Sequence, residues 1–290
     1  MMQRLAFVAS ICAVVSAAAS VAGSQTRGHL VLNGGGDKPR VVMEKFIELA
    51  GGRSASIVVF PTASGEKDTP RYYRSLFKTE YGCEDVFIAP VETRQDAEAA
   101  ALVDRIDRAG GIFFAGGDQR RIISALRDTP VGDAVRRAYD RGATVGGTSA
   151  GTACQSPLMI TGDGDFERIT ADNVVLWPGL GLFQGVVVDQ HFVARSRHNR
   201  LIAVVLEHPE LLGVGVDEAT AVWVKPDNSF EVLGEGWVVV YDAAGATVHR
   251  RESDDDTVPL GVHGLVTHVL LPGEVFDLER RVPVRGPGVD

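Results

Sequence analysis

At 290 residues, with a net charge of −9 and a pI near 5.3, the chain is long enough for one large domain with a sizeable core and too acidic to take nucleic acid as a general partner. Beyond its N-terminal segment no stretch is long and apolar enough to span a bilayer, which excludes a multispanning membrane protein.

The N-terminal segment reads as an address. Arg4 supplies the positive charge, Leu5 to Val15 is almost wholly apolar, and the small residues from Ser16 to Ser24 offer cleavage sites. This predicts a signal peptide over residues 1–23, cut near Ala22 or Gly23, and an exported single domain over 24–290, periplasmic or extracellular. A membrane anchor would need a longer apolar run. Cys12 leaves with the peptide, and Cys83 and Cys154 then read as free core thiols.

From His29 onward short β-branched runs alternate with amphipathic ones. His29 to Leu32 reads as a strand running into Gly34-Gly35-Gly36-Asp37, and Val41 to Ala50 as a helix stopped by Gly51-Gly52. Ser56 to Phe60 (strand), Arg71 to Lys78 (helix), Val86 to Pro90 (strand), Asp96 to Arg108 (helix) and Gly111 to Ala115 (strand) continue the pattern. Alternation of this kind predicts an α/β fold, a doubly wound and mostly parallel sheet whose ligands gather at the carboxyl ends of the strands. The glycine triplet lacks the G-x-G-x-x-G spacing of a dinucleotide site and is read as a tight turn facing the pocket.

Phe113-Phe114-Ala115-Gly116-Gly117-Asp118-Gln119 closes a strand on two glycines and opens a helix from Arg120 to Arg127. There the Gly117 N–H is a candidate oxyanion donor, Gln119 a candidate substrate contact and Asp118 a helix cap. Ala143 to Cys154 then carries Gly147-Thr148-Ser149-Ala150-Gly151, a match to G-x-S-x-G. That pattern puts a serine on a sharp strand-to-helix turn, with the N–H of Ala150 aimed where an oxyanion would form. An idle serine in a glycine-rich turn would look the same, so the partners decide.

Gly162-Asp163-Gly164-Asp165 is too small a fragment of a calcium loop to be one and reads as a polar turn; no metal or organic cofactor is expected. Val186 to Phe192 is a strand ending in Asp189-Gln190-His191, followed by Arg195, Arg197 and Arg200 and a helix continuing from Leu201 to Leu206. Gly213 to Thr220 is a tight strand with Asp217 and Glu218 at its end, one facing the pocket and the other away. Ala221 to Val240 has the period of antiparallel hairpins, and Arg251 to Asp256 is a solvated acidic loop.

A serine needs a base, and His191 follows a strand in polar company. His29, His208 and His249 occupy less suitable settings. An α/β-hydrolase would instead take His263 or His268 after an acid, but both lie in an alternating C-terminal strand pattern and no HGGG-type loop is present. Chain order therefore favours serine, histidine, acid.

Together Gly116-Gly117-Asp118-Gln119, Gly146 to Gly151, Asp189 to Phe192 with its arginines, and Gly215-Val216-Asp217-Glu218 resemble the cyanophycinases, members of the serine peptidase family S51 that also contains the aspartyl dipeptidases. The similarity runs from about His29 to about Val269. It departs at Thr152, where the family often has alanine. The resemblance implies a fold like class I glutamine amidotransferases with added antiparallel C-terminal strands, Ser149 as nucleophile, His191 as base and Glu218 as the orienting acid. It further implies Gln119, Asp189, Gln190, Arg195, Arg197 and Arg200 as substrate contacts. The implied substrate is cyanophycin, a polyaspartate with arginine on each β-carboxyl, released as β-Asp-Arg. Short Asp-containing peptides, or binding without catalysis on the same scaffold, are the alternatives, and a homodimer is left open. Chemistry agrees with the resemblance: each repeat carries a carboxylate and a guanidinium, and the arginines beside Asp189 offer both complements on an acidic chain.

Overall fold

The computed structural model describes residues 28–164, 166–251 and 257–284; the expected signal peptide, Asp165 and all but the first residue of the acidic run lie outside them. The first half alternates as β1 (Leu30–Asn33), α1 (Arg40–Leu49), β2 (Ser56–Phe60), α2 (Thr69–Ser75), β3 (Asp85–Ile88), α3 (Ala100–Asp107), β4 (Gly111–Phe114), α4 (Gln119–Leu126), α5 (Pro130–Asp140), β5 (Thr144–Thr148) and α6 (Ala150–Ala153). The second half is mostly strand: β6 (Leu158–Ile160), β7 (Leu176–Pro178), β8 (Val186–Gln190), α7 (His198–Glu207), β9 (Leu212–Val216), β10 (Thr220–Val224), β11 (Ser229–Gly234) and β12 (Val238–Asp242). After these come β13 (Thr247–Arg250), β14 (Leu260–His263), β15 (Val266–Leu270), β16 (Val275–Asp277) and β17 (Val282–Val284). Among the described residues no helix is long and apolar enough to cross a membrane.

The central sheet runs β17-β16-β11-β10-β1-β5-β4-β2-β3, with β1, β5, β4, β2 and β3 parallel and the late strands added antiparallel at the β1 edge. Strand alternation sorts the parallel core into two layers. Leu30, Leu32, Val58, Phe60, Ile112 and Phe114 pack with residues of α3, α4 and α5, while Val31, Ile57, Val59 and Phe113 pack with Val42, Phe46 and Tyr73 of α1 and α2. Both faces of the sheet are therefore covered, as β-branched runs without polar gaps require.

The strands that carry His191 and Glu218 at their ends stand apart from the elbow sheet: β8 and β9 pair in parallel in a second sheet, ordered β15-β12-β9-β8. Val186, Val188, Val214 and Val216 of that sheet join the core layer under the first, and Val187 faces α7 through Leu201 and Val204. One expectation is corrected: the helix expected over Asp96 to Arg108 is broken. Asp96 closes a separate turn by accepting from the N–H groups of Glu92 and Thr93 at 3.0 and 2.8 Å, Ala99 is extended at ψ 112°, and α3 begins only at Ala100. Cys83 and Cys154 are buried free thiols.

Candidate active site

The turn between β5 and α6 has no room for side chains at two places. A Cβ on Gly147 would lie 2.5 Å from the Gly151 carbonyl carbon, and one on Gly151 would lie 2.7 Å from that of Phe114, so the G-x-S-x-G spacing reflects backbone packed on backbone. Ser149, between them, is forced to φ 52° and ψ −111°, a conformation that side chains rarely adopt. Asn33, which closes β1, holds the turn from below. Its carbonyl accepts the Ser149 N–H at 3.0 Å and the Thr152 hydroxyl at 2.6 Å, and its side-chain oxygen accepts from Gly35 N–H at 2.7 Å. Thr152, silent in the sequence, is thus a strut of the elbow. Asn33 was missed too, although a polar residue ending an apolar strand just before three glycines was a usable signal.

His191 leaves the end of β8 at φ 48° and donates its N–H to the Gly34 carbonyl at 2.8 Å. Its Nε2 lies 2.9 Å from Ser149 Oγ and its Nδ1 2.5 Å from Glu218 Oε1, so hydroxyl, imidazole and carboxylate form one hydrogen-bonded line. Asp217 faces the other way, where its carboxylate accepts from the N–H groups of Val193 and Ala194 at 3.1 and 2.9 Å and fixes the turn behind His191. Burial pulls the His191 pKa below 6.5; the Glu218 hydrogen bond opposes this, and the charges of Arg195 and Arg197 assist it. The imidazole is therefore neutral at neutral pH and free to accept a proton.

The Gly116–Gly117 turn runs past the serine: a Cβ at Gly116 would sit 3.3 Å from that of Ser149. Tyr73, which lines the same cleft as Gly116, is buried, and burial raises its pKa. Among the described residues the N–H groups of Gly117 and Ala150 have no acceptor. Asp118 caps α4 by accepting from Arg120 N–H at 2.9 Å.

The expected substrate contacts divide. Gln190 reaches the serine, its Oε1 3.5 Å from Ser149 Oγ, and is itself held by Arg197 Nη1 at 2.7 Å. Burial, the like charges of Arg200 and Arg195 and the opposing charge of Asp189 leave the Arg197 pKa lowered to about 10, still protonated at neutral pH. Arg195 is exposed, has no ion pair among the described residues and bears electrostatically on His191. Three residues do not present themselves to a substrate. Asp189 and Arg200 are 1% and 2% exposed and consumed by each other, with Arg200 Nε 2.7 Å from Asp189 Oδ2 and Nη2 on Oδ1. Gln119 is 6% exposed and spends its Nε2 on the carbonyls of Ile160 and Thr161 at 2.7 and 3.0 Å. The rival bases are elsewhere: the ring of His263 meets His249 and that of His268 meets Phe276.

A hydroxyl on a strained strand-to-helix turn, in line with an imidazole and a carboxylate at the carboxyl rim of a parallel sheet, defines a serine hydrolase. The model of peptidase family S51 matches residues 30–232. The chain belongs to this family of serine peptidases. It is 37% identical over 262 residues to a cyanophycinase of Synechococcus elongatus, covering 88% of this chain and 81% of that one. It is 37% identical over 257 residues to a cyanophycinase of a Nostoc species (87% and 86% covered) and 35% identical over 263 residues to that of Geminocystis herdmanii (89% and 96%). A crystal structure of a peptidase from an acI-B1 Actinobacterium shares the fold at a TM-score of 0.66 and 20% identity, covering 88% of this chain and 98% of the other.

Proposed function

We propose that this chain is an exported hydrolase that cuts cyanophycin to β-Asp-Arg dipeptides on a class I glutamine amidotransferase-like fold. The carrying observation is the Glu218–His191–Ser149 line, set in a chain 35 to 37% identical to cyanophycinases over most of its length. In the proposed cycle Ser149 Oγ attacks the scissile carbonyl carbon as its proton passes to His191 Nε2. The N–H groups of Gly117 and Ala150 receive the oxyanion, His191 returns the proton to the leaving nitrogen, and the C–N bond breaks. Water, deprotonated by the same imidazole, then attacks the acyl ester and releases Ser149. Glu218 holds the Nδ1–H tautomer and stabilises the imidazolium. Arg195 and the Gln190–Arg197 pair are the assigned partners of the substrate's carboxylates, and the Asp189–Arg200 pair is their buried support. Incubation of the purified chain with cyanophycin, followed by mass spectrometry, is expected to yield β-Asp-Arg. Free aspartate from α-linked dipeptides with the polymer left intact would replace this reading by that of an aspartyl dipeptidase.

The titration of His191 sets the acid limb of activity. Because its pKa is lowered, the neutral, proton-accepting form persists below pH 6.5 and is lost only as pH falls through the lowered value. The kcat/KM profile is expected to turn down on the acid side below 6.5, and Arg195→Gln, which removes a charge that opposes protonation, to move that limb upward. A limb at or above 6.5 in the wild type contradicts the assignment.

A further inference from the structure

The carboxyl ends of β5, β4, β2 and β3 stand side by side in that order along one rim of the central sheet. Two clefts follow them. The first, about 470 Å³, lies over the ends of β5 and β4 and is lined by Ser149, Gly116 and Tyr72. The second, about 590 Å³, lies over the ends of β2 and β3 at Pro61 and Pro90. Ser64 and Glu66 line both, so the two clefts adjoin, the first at the nucleophile and the second further across the sheet. None of Gln190, Arg195 and Arg197 lines either cleft.

The second cleft carries charge of both signs: Glu66, Lys67, Arg74, Glu92 and Arg121. Each stands on the loop after β2, on α2, on the loop after β3 or on α4. Among the described residues none of the five has an ion pair, although exposed charges elsewhere find one, as in Arg40–Glu44, Arg71–Asp68 and Arg137–Asp107. Arg121 uses one nitrogen on the Ser64 carbonyl at 2.9 Å and keeps the rest of its fork. Opposite charges thus converge on a gap they do not close themselves. A polyanion would meet Glu66 and Glu92, and a polycation Lys67, Arg74 and Arg121. A chain with one carboxylate and one guanidinium on every repeat satisfies both sets, and the volume lies in the range of small-molecule sites.

We infer that this second cleft is a distal binding site for the length of zwitterionic polymer extending from the scissile bond, an inference that rests on the proposed hydrolysis of cyanophycin. It gives long chains an advantage over short ones through contacts added beyond the reacting repeat. The test compares kcat/KM on long soluble cyanophycin with that on the isolated two-repeat fragment, in the wild type and in Arg74→Glu, Glu92→Lys and the double variant. All of these side chains are solvent-exposed, and folding is checked by thermal unfolding. Each reversal is expected to lower the long-to-short ratio about three- to fivefold, and the double variant, which keeps the net charge, to lower it further. An unchanged ratio, or equal loss on both substrates, overturns the distal site. Failure of the wild type to cut the polymer at all brings down the underlying reading instead, and is seen before any variant is made.

Discussion

Ser149→Ala is expected to lower kcat on cyanophycin by roughly 10⁴-fold or more with the fold intact, because the acyl ester can no longer form. The stability side is equally specific. The lost hydroxyl gives up its one donated hydrogen bond, to His191 Nε2 at 2.9 Å with Gln190 Oε1 a distant second acceptor at 3.5 Å, about 1 kcal/mol. Alanine keeps the Cβ and inherits the strained φ of 52°, so it gains nothing from the backbone. Glycine at the same place releases that strain, which is on the order of 1 to 3 kcal/mol. Ser149→Gly is therefore expected to be as inactive as Ser149→Ala yet to melt several degrees higher, roughly 2–4 °C per kcal/mol in a domain of this size. Equal melting temperatures would deny the turn its stored strain, and substantial turnover by either variant would deny Ser149 its role.

The elbow was legible in the sequence because its requirements are local: an apolar run, glycines where backbone meets backbone, and a short helix behind. His191 was legible for a similar reason, as a polar strand end. Asp189 and Arg200 read in the sequence as substrate contacts, and the signal for their burial against each other was present as well. In Val186 to Gln190 the period of two puts Asp189 on the side of Val187, which packs with Leu201 of α7, and Gln190 on the side of Val186 and Val188. Arg200 stands one residue before Leu201 on that helix. The aspartate was thus committed to the helix and the glutamine to the serine. What no local pattern carries is the assignment of β8 and β9 to their own sheet, since strand partnership depends on contacts between distant segments. The role of Asn33 was hidden for the same reason, since it acts on Ser149 and Thr152, far away in sequence.

Gly35→Ala is expected to reduce kcat/KM by about 10²- to 10³-fold, through the imidazole rather than through the substrate. Gly35 stands at φ +122°, and a Cβ there would overlap His191 Cε1 and Nε2 and lie 2.8 Å from Nδ1. The methyl group and the ring want one volume. The loop cannot yield, being tied by Gly34 N–H to Thr220 at 2.9 Å, by Gly35 N–H to Asn33 at 2.7 Å, and by His191 and Ala219 N–H to the Gly34 and Gly35 carbonyls at 2.8 and 3.0 Å. The ring must therefore swing away, breaking its bonds to Ser149 and Glu218 together. Some stability is lost as well, because the φ is unfavourable for alanine. Gly52→Ala serves as the control: it too has a positive φ, but its Cβ would meet nothing within 4 Å, so it bears the backbone cost alone. A double-mutant cycle separates the routes. In a His191→Ala background there is no ring to displace, and Gly35→Ala should then add little to the loss of activity. A Gly35→Ala enzyme that kept more than roughly a tenth of wild-type kcat/KM would show that the imidazole does its work from a position other than the one wedged between this glycine, Ser149 and Glu218.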